Sequence, residues 1–240
     1  MKPSPTKRQA LLIKLRWTAV FYSIAAVVLS AVYFVLRQRF KDGFWGFDFY
    51  LTNKAFSIAS LVLIAASMLL TGLRYFKKVT PATFALRKHL GLAGFFLGVA
   101  HGVASHVLMP EQFPWPGWVL ENVWSSALAF VALLIFALMA VASSAKVKGW
   151  MGGERWRLFL RYGGYAALIM VAAHAGILKW ESWIKYLKTF SSVLPSLSLP
   201  AVVFCVVVVG LRLAMSLGKR RRNLRKDEGG SYGRSSKMQR

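Results

Sequence analysis

Hydrophobic positions in this chain come in long unbroken blocks separated by short polar connections. Six blocks stand out: Trp17–Leu36, Ala55–Leu73, His89–Leu108, Val119–Ser143, Leu158–Leu178 and Leu194–Met215. Each holds about 20 mostly apolar residues, the length of helix that crosses about 30 Å of hydrocarbon. The pattern predicts an all-α polytopic membrane protein, a bundle of six transmembrane helices. Pro110, Pro114 and Pro116 punctuate the third connection, and Gly149, Gly152 and Gly153 the fourth. No internal repeat is evident. The expected organisation is a basic N-terminal segment (1–16), a membrane domain (17–217) and a basic tail (218–240), polar and expected to be disordered from Ser231 onward.

Composition agrees with the pattern. The chain is 56% hydrophobic and only 17% charged, and its mean hydropathy is +0.48. A soluble domain is nearer 45–50% apolar and about 25% charged. Between the blocks no room is left for a folded soluble domain. The net charge of +24 would ordinarily raise nucleic acid as a partner. Here the basic residues cluster at the ends of apolar blocks, as membrane topology requires, and nucleic-acid binding is excluded on that ground.

Lys and Arg also give an orientation. The N-terminal segment, the second connection and the fourth connection carry five each, and the tail from Arg212 carries ten. The other three connections carry four, none and three. Basic residues favour the cytoplasmic side, so both termini and connections two and four are expected there. The exception is the first connection, with Arg37, Arg39, Lys41 and Lys54. Trp45, Trp115, Trp118, Trp180 and Trp183 are expected at the outer interface, and Trp150 and Trp156 at the inner one, as aromatic belts. The first block exceeds the 7–15 apolar residues of a secretory signal and is read as a retained helix. The basic cluster Lys219–Lys226 would attract anionic lipid. Cys205, the only cysteine, cannot build a disulfide or an iron–sulfur site within one chain.

Four histidines carry the candidate chemistry: His89, His101, His106 and His174. Ionisable side chains inside a membrane are rare and mark function. His101 lies 13 residues beyond Lys88, and His174 lies 13 residues beyond Arg161. Both helices enter from the same side, so each imidazole sits about 20 Å from the inner edge. Two parallel helices bearing one imidazole each at one level match what a haem iron with two axial histidines requires. Gly94 and Gly98, seven and three residues before His101, share its face with Gly91 nearby, and small residues there would admit a flat macrocycle. Ala167, Met170 and Val171 give the corresponding apolar wall before His174. The same glycine spacing is also the ordinary signature of close helix packing. Spacing alone therefore leaves three readings open: haem ligation, interhelical hydrogen bonding, and an ion or proton path. His89, beside Arg87 and Lys88, reads as an interfacial residue. His106 is five residues past His101, a rotation of about 140° on a regular helix; it is expected to face elsewhere or to line an outer rim. Glu111 and Glu121 flank the Pro/Trp-rich loop and read as solvated loop residues.

The run from Leu86 through His101, Leu-Arg-Lys-His-Leu-Gly-Leu-Ala-Gly-Phe-Phe-Leu-Gly-Val-Ala-His, resembles the third-helix signature of the ferric reductase-like transmembrane domain family. Gly153-Glu-Arg-Trp-Arg, followed by Arg161, Tyr165 and His174, is similar to that family's fifth-helix entry. The family includes membrane ferric reductases, NADPH oxidases and the haem subunit of a methionine sulfoxide reductase system. The resemblance covers about residues 50–215 and implies a six-helix core in which His101 and His174 ligate a b-type haem near the outer face. Many members hold a second, inner haem through histidines 13 or 14 residues before each outer ligand. Here those positions are Lys88 and Arg87 on one helix, Arg161 and Leu160 on the other, and His89 is 12 residues away. A guanidinium offers no lone pair to iron; Arg161 reads either as an inner-interface arginine that follows the charge pattern or as a partner for a haem propionate or a flavin phosphate, and a second haem is not implied here. The sequence holds no Gly-x-Gly-x-x-Gly run, so the flavin and nicotinamide domain that large members append is not expected, and a separate electron donor is.

The functional expectation is a haem-binding electron-transfer protein of a bacterial inner membrane, an oxidoreductase or the electron-transfer subunit of one. Electrons would come from a separate flavoprotein, a bound flavin or membrane quinol, and leave to an outer acceptor, ferric iron or a protein. The alternative is a small transporter or helical scaffold in which His101 and His174 form an interhelical polar contact. The catalytic residues, if any, are not legible.

Overall fold

The structure, a computed structural model, describes residues 5–43, 45–76, 79–190 and 193–235. Lys2, Lys77, Lys78 and residues 236–240 of the tail lie outside them. Among the described residues every regular element is helical. The helices are α1 (Pro5–Asp42), α2 (Phe49–Tyr75), α3 (Pro81–Val103), α4 (Gly117–Glu121), α5 (Val123–Ala142), α6 (Ala145–Met151), α7 (Gly153–Thr189) and α8 (Ser198–Ser235). A π-helical turn, Ala104–Leu108, continues α3. Six of these helices are long and apolar enough to cross a membrane. The chain is an integral, multi-pass membrane protein with an all-α fold.

Local chemistry sets the helix limits. Asp48 caps α2 by accepting the Leu51 N–H at 2.7 Å. Thr80 caps α3, with Pro81 in the first turn, where a missing N–H costs nothing. Gly152 opens α7 at φ +76°, a conformation that favours glycine. Two boundaries differ from the sequence reading. The expected span Val119–Ser143 is broken at Asn122, which leaves helical geometry and donates its side-chain amide to the Trp118 carbonyl, so α4 and α5 are separate. Leu194 belongs to the preceding connection: Arg37 Nε donates to its carbonyl at 3.3 Å and Tyr33 Oη to that of Pro195 at 2.9 Å. In the tail expected to be disordered, residues 231–235 continue α8.

α2 is the hub of the bundle and packs against α1, α3, α7 and α8. Its apolar window is 56% buried, whereas that of α1 is 11% buried. α1 therefore turns most of its surface outward, with Trp17, Phe21, Ile24 and Leu29 exposed. In a soluble protein such a surface would mark an unfilled interface; on a spanning helix it is the lipid face. The core combines Ile58, Leu61, Ile64 and Ala65 of α2 with Ala132, Phe136, Ala167, Leu168 and Val208 from α5, α7 and α8.

All four basic residues of the first connection are engaged at their own end of the bundle. Arg37 holds Leu194, Arg39 Nη1 donates to the Gly43 carbonyl at 2.7 Å, Lys41 pairs with Asp42, and Lys54 Nζ lies 3.8 Å from the Tyr50 ring centroid.

Trp183 corrects the expected aromatic belt. It is 7% exposed and donates Nε1–H to Ser198 Oγ at 3.0 Å, joining α7 to the start of α8. Its position beyond the fifth apolar block would place it at an interface, but the start of α8 packs over it. Trp45, Trp115, Trp150 and Trp180 are exposed, as a belt requires. Trp183→Phe removes one buried hydrogen bond and the pyrrole half of a buried indole. It is expected to cost about 2–3 kcal/mol, read as a melting midpoint lowered by several degrees in detergent, with Trp180→Phe unchanged.

Candidate functional site

α2, α3, α5 and α7 form a ring. α2 packs on α3 and α7, and α5 packs on α3 and α7, while α3 and α7 face each other across the ring without packing closely. His101 is on α3 and His174 on α7, so the two imidazoles come from opposite members. They are near enough to interact electrostatically.

Each imidazole is fixed by the helix beside it. His101 Nδ1 lies 3.2 Å from the Asn53 backbone oxygen and 2.8 Å from Asn53 Oδ1, both on α2. Asn53 is buried and donates Nδ2–H to Ser105 Oγ at 2.9 Å; Ser105 in turn donates to the His101 carbonyl at 2.9 Å. His174 Nδ1 lies 2.9 Å from the Ser125 backbone oxygen and 2.8 Å from Ser125 Oγ, both on α5. A backbone carbonyl only accepts, so Nδ1 carries the proton in both rings. The lone pair then sits on Nε2 in each, and neither Nε2 has a hydrogen-bond partner among the described residues. Metal-binding histidines are oriented by this kind of Nδ1–H donation, which also raises their basicity.

The site is thus two imidazoles in one tautomer, each locked by the neighbouring helix of the ring, with both basic nitrogens uncommitted. Among the described residues no three of His, Cys, Asp and Glu cluster. A bare divalent ion would lack the three protein ligands that even an open catalytic zinc site keeps. A macrocycle carrying four nitrogens of its own asks the protein for two axial ligands only, and the donor set fits that demand.

The glycines have a different role from the one their spacing invited. A Cβ on Gly94 would stand 2.7 Å from Ile64 Cγ1 and 2.9 Å from the Ser60 backbone oxygen; on Gly98 it would stand 2.9 Å from Ser60 Oγ. Gly91 meets Ser67 in the same way. The space beside Gly94 is filled by α2, and that beside Gly98 by Ser60 of α2 and Leu133 of α5. The smallness of the glycines lets Ser60 Oγ reach the Gly94 carbonyl at 2.7 Å and Ser67 Oγ reach that of Arg87 at 2.7 Å. Ala167 is fully buried, with Met170 and Val171 packed on the same cluster, as the apolar wall before His174 requires.

His89 does not approach a second ligand position. It lies on α3 toward α1, with Arg16 and Lys88 as its charged neighbours. The cavity of about 290 Å³ between α2, α3, α5 and α7 at the basic end is bordered by Arg87, Lys88 and Leu160 but not by His89. Position 12 before His101 points outward because it is about 100° from position 13. Arg161 is exposed and within electrostatic reach of Arg87 and Tyr165.

His106 packs at the opposite end among Phe113, Trp115 and Trp118, with ring centroids 5.9–6.5 Å apart. It lines the rim. The π turn lowers the rotation per residue, which brings His106 closer to the face of His101 than a regular helix would; the two rings interact electrostatically. Its Nδ1 is buried without a partner. Glu111 and Glu121 are exposed, as expected of loop residues. No protein-family model matches the chain.

Asn53→Leu would remove the Oδ1 acceptor and the link to Ser105 while sparing the backbone acceptor. If the site holds an iron, affinity for the group is expected to fall about tenfold, measured as the rate of transfer to an apo-globin.

Proposed function

We propose that this protein is a b-type haem membrane protein that carries electrons across the bilayer, with His101 and His174 as the two axial ligands. One observation carries the reading: two imidazoles on opposite helices of a four-helix ring, each donating Nδ1–H to a neighbouring helix and each with Nε2 uncommitted. The resemblance to the ferric reductase-like family at residues 86–101 and 153–174 supports it independently of that geometry.

Bound there, the haem would supply a one-electron ferric–ferrous couple. The chain's residues do the rest. Asn53 and Ser125 hold the rings in the Nδ1–H tautomer and keep Nε2 basic. Core side chains such as Ile64, Ala167 and Leu168 keep water out of the ring interior. Two histidines leave no open coordination position, which favours outer-sphere transfer over oxygen binding. By the charge pattern the termini face the cytoplasm of a bacterial inner membrane, and the His101 level lies in the outer half of the bilayer. The donor is then a cytoplasmic flavoprotein, a bound flavin or quinol, and the acceptor is ferric iron or a protein on the outer face.

A second reading has a specific observation behind it. The bonds from His101 to Asn53 and from His174 to Ser125 tie α3 to α2 and α7 to α5. Such bonds are worth about 1–2 kcal/mol at most in a bilayer and are sufficient reason for an intramembrane histidine in a scaffold. The deciding experiment is a dithionite-reduced minus oxidised spectrum of the purified protein, with haem quantified per chain. One b-type haem per chain is the expected result. A folded protein that is colourless after expression with ample haem would leave the scaffold reading.

A further inference from the structure

At the basic end, three arginines from three helices lie within electrostatic reach of one another, with no carboxylate among them in the described residues. Arg87 on α3 borders the cavity of about 290 Å³ and is within electrostatic reach of Arg161 on α7 and Arg212 on α8. All three act on Tyr165, and Arg212 Cζ lies 5.8 Å from the Tyr165 ring centroid. Among the described residues the only ion pair is Lys41–Asp42, at the other end of the molecule. None of the three guanidinium groups, nor the Tyr165 hydroxyl, has a hydrogen-bond partner there.

Like charges brought together at a half-buried site repel unless an anion joins them. Guanidinium groups match a phosphate bidentately, and basic pockets between spanning helices on the cytoplasmic side are where lipid headgroups bind. The cavity supplies the other half of such a ligand. It is lined by Ile64, Met68, Leu92, Phe95, Phe136 and Met139, among others, and by Arg87 and Lys88 at its basic edge. Lys88 Nζ is already committed to the Ser143 carbonyl at 3.0 Å, and Trp156 Nε1 to that of Ala142 at 2.7 Å. The uncommitted donors are therefore the arginines.

We propose that Arg87, Arg161 and Arg212, with the adjoining cavity, hold one anionic phospholipid, its phosphate on the guanidinium groups and an acyl chain in the cavity. The site is independent of the histidine pair and stands whether or not a haem is bound. Its test is lipid content. The full chain is purified in mild detergent, washed, and examined for retained phospholipid by native mass spectrometry and by phosphorus per chain. About one anionic phospholipid per wild-type chain is expected, with more than tenfold less in the triple variant Arg87→Gln, Arg161→Gln, Arg212→Gln. Ala140→Phe, which fills the cavity and leaves the arginines in place, is expected to lose the lipid as well. Lys146→Gln with Arg157→Gln removes two charges from the same end and is expected to retain it. In add-back, delipidated wild type takes up phosphatidylglycerol from mixed vesicles and leaves phosphatidylcholine. Retention by the triple variant, or equal loss in the control, overturns the proposal. So does saturable binding of inorganic phosphate or riboflavin phosphate without lipid, which would make this a site for a soluble anion. If the triple variant fails to fold, Arg87→Gln alone carries the test, with the melting midpoint as the check on folding.

Discussion

His101→Ala and His174→Ala are each expected to reduce the b-type difference signal to less than about a tenth of wild type. Even loss of a group that merely orients a metal ligand costs 10–100-fold in affinity, and here the ligand itself is removed. The two variants are expected to be equivalent because the rings occupy equivalent positions, one per opposite helix, each with its own Nδ1–H acceptor. The comparison separates ligation from packing. A packing role would leave the spectrum intact and lower only the melting midpoint, by the worth of one interhelical bond. Ligation predicts loss of the spectrum whatever the midpoint does. Imidazole added at millimolar concentration is expected to restore part of the signal in His101→Ala, since the space vacated is ring-sized and the Asn53 acceptors remain.

The second large effect lies away from the histidines. Gly94→Ile is expected to destabilise the bundle by about 3 kcal/mol or more. The new Cβ would stand 2.9 Å from the Ser60 carbonyl and 3.1 Å from the Ile64 nitrogen; these are backbone atoms, so no side-chain rotation relieves the contact. Overpacking typically costs about 1–3 kcal/mol, and parting the helices also breaks the bond from Ser60 Oγ to the Gly94 carbonyl. In thermal melts this corresponds to a midpoint about 10 °C lower for a chain of this size. Gly210→Ala is the control: nothing lies within 4 Å of its Cβ, and replacing a mid-helix glycine there is expected to be neutral or to stabilise by up to about 1 kcal/mol. Because α3 carries His101, displacement of α3 should also weaken any haem signal in Gly94→Ile.

The spans were legible in the sequence because bilayer thickness imposes a length that few other constraints do. That His101 and His174 come within electrostatic reach of each other was legible for the same reason, since both helices can be counted inward from their basic ends. The partners of those histidines were not legible. Asn53 and Ser125 are polar residues at or near the edge of apolar blocks, which is a weak signal. The acceptor that fixes each tautomer is a backbone carbonyl, which every residue possesses. Gly94 and Gly98 show a different limit. Three- and four-residue spacing states that something approaches closely, and only the tertiary arrangement decides that α2 does so. Trp183 and the break at Asn122 likewise depend on how α8 and the third connection fold back, which periodicity does not record.

α7 is 37 residues long, about 55 Å as a straight helix, against about 30 Å of hydrocarbon. With Trp183 fastened to Ser198, its far third is a post braced against the start of α8. A helix so much longer than the bilayer does not set its own depth by length. Depth is set by the anchors, exposed tryptophans at one end and arginines at the other. Hydrophobic mismatch then falls first on the shorter spans such as α5, 20 residues long and about 30 Å as a helix: a membrane thickened by a few ångströms strains α5 before α7. The histidine level keeps its distance from the basic end, because His174 rides on the helix that the anchors hold.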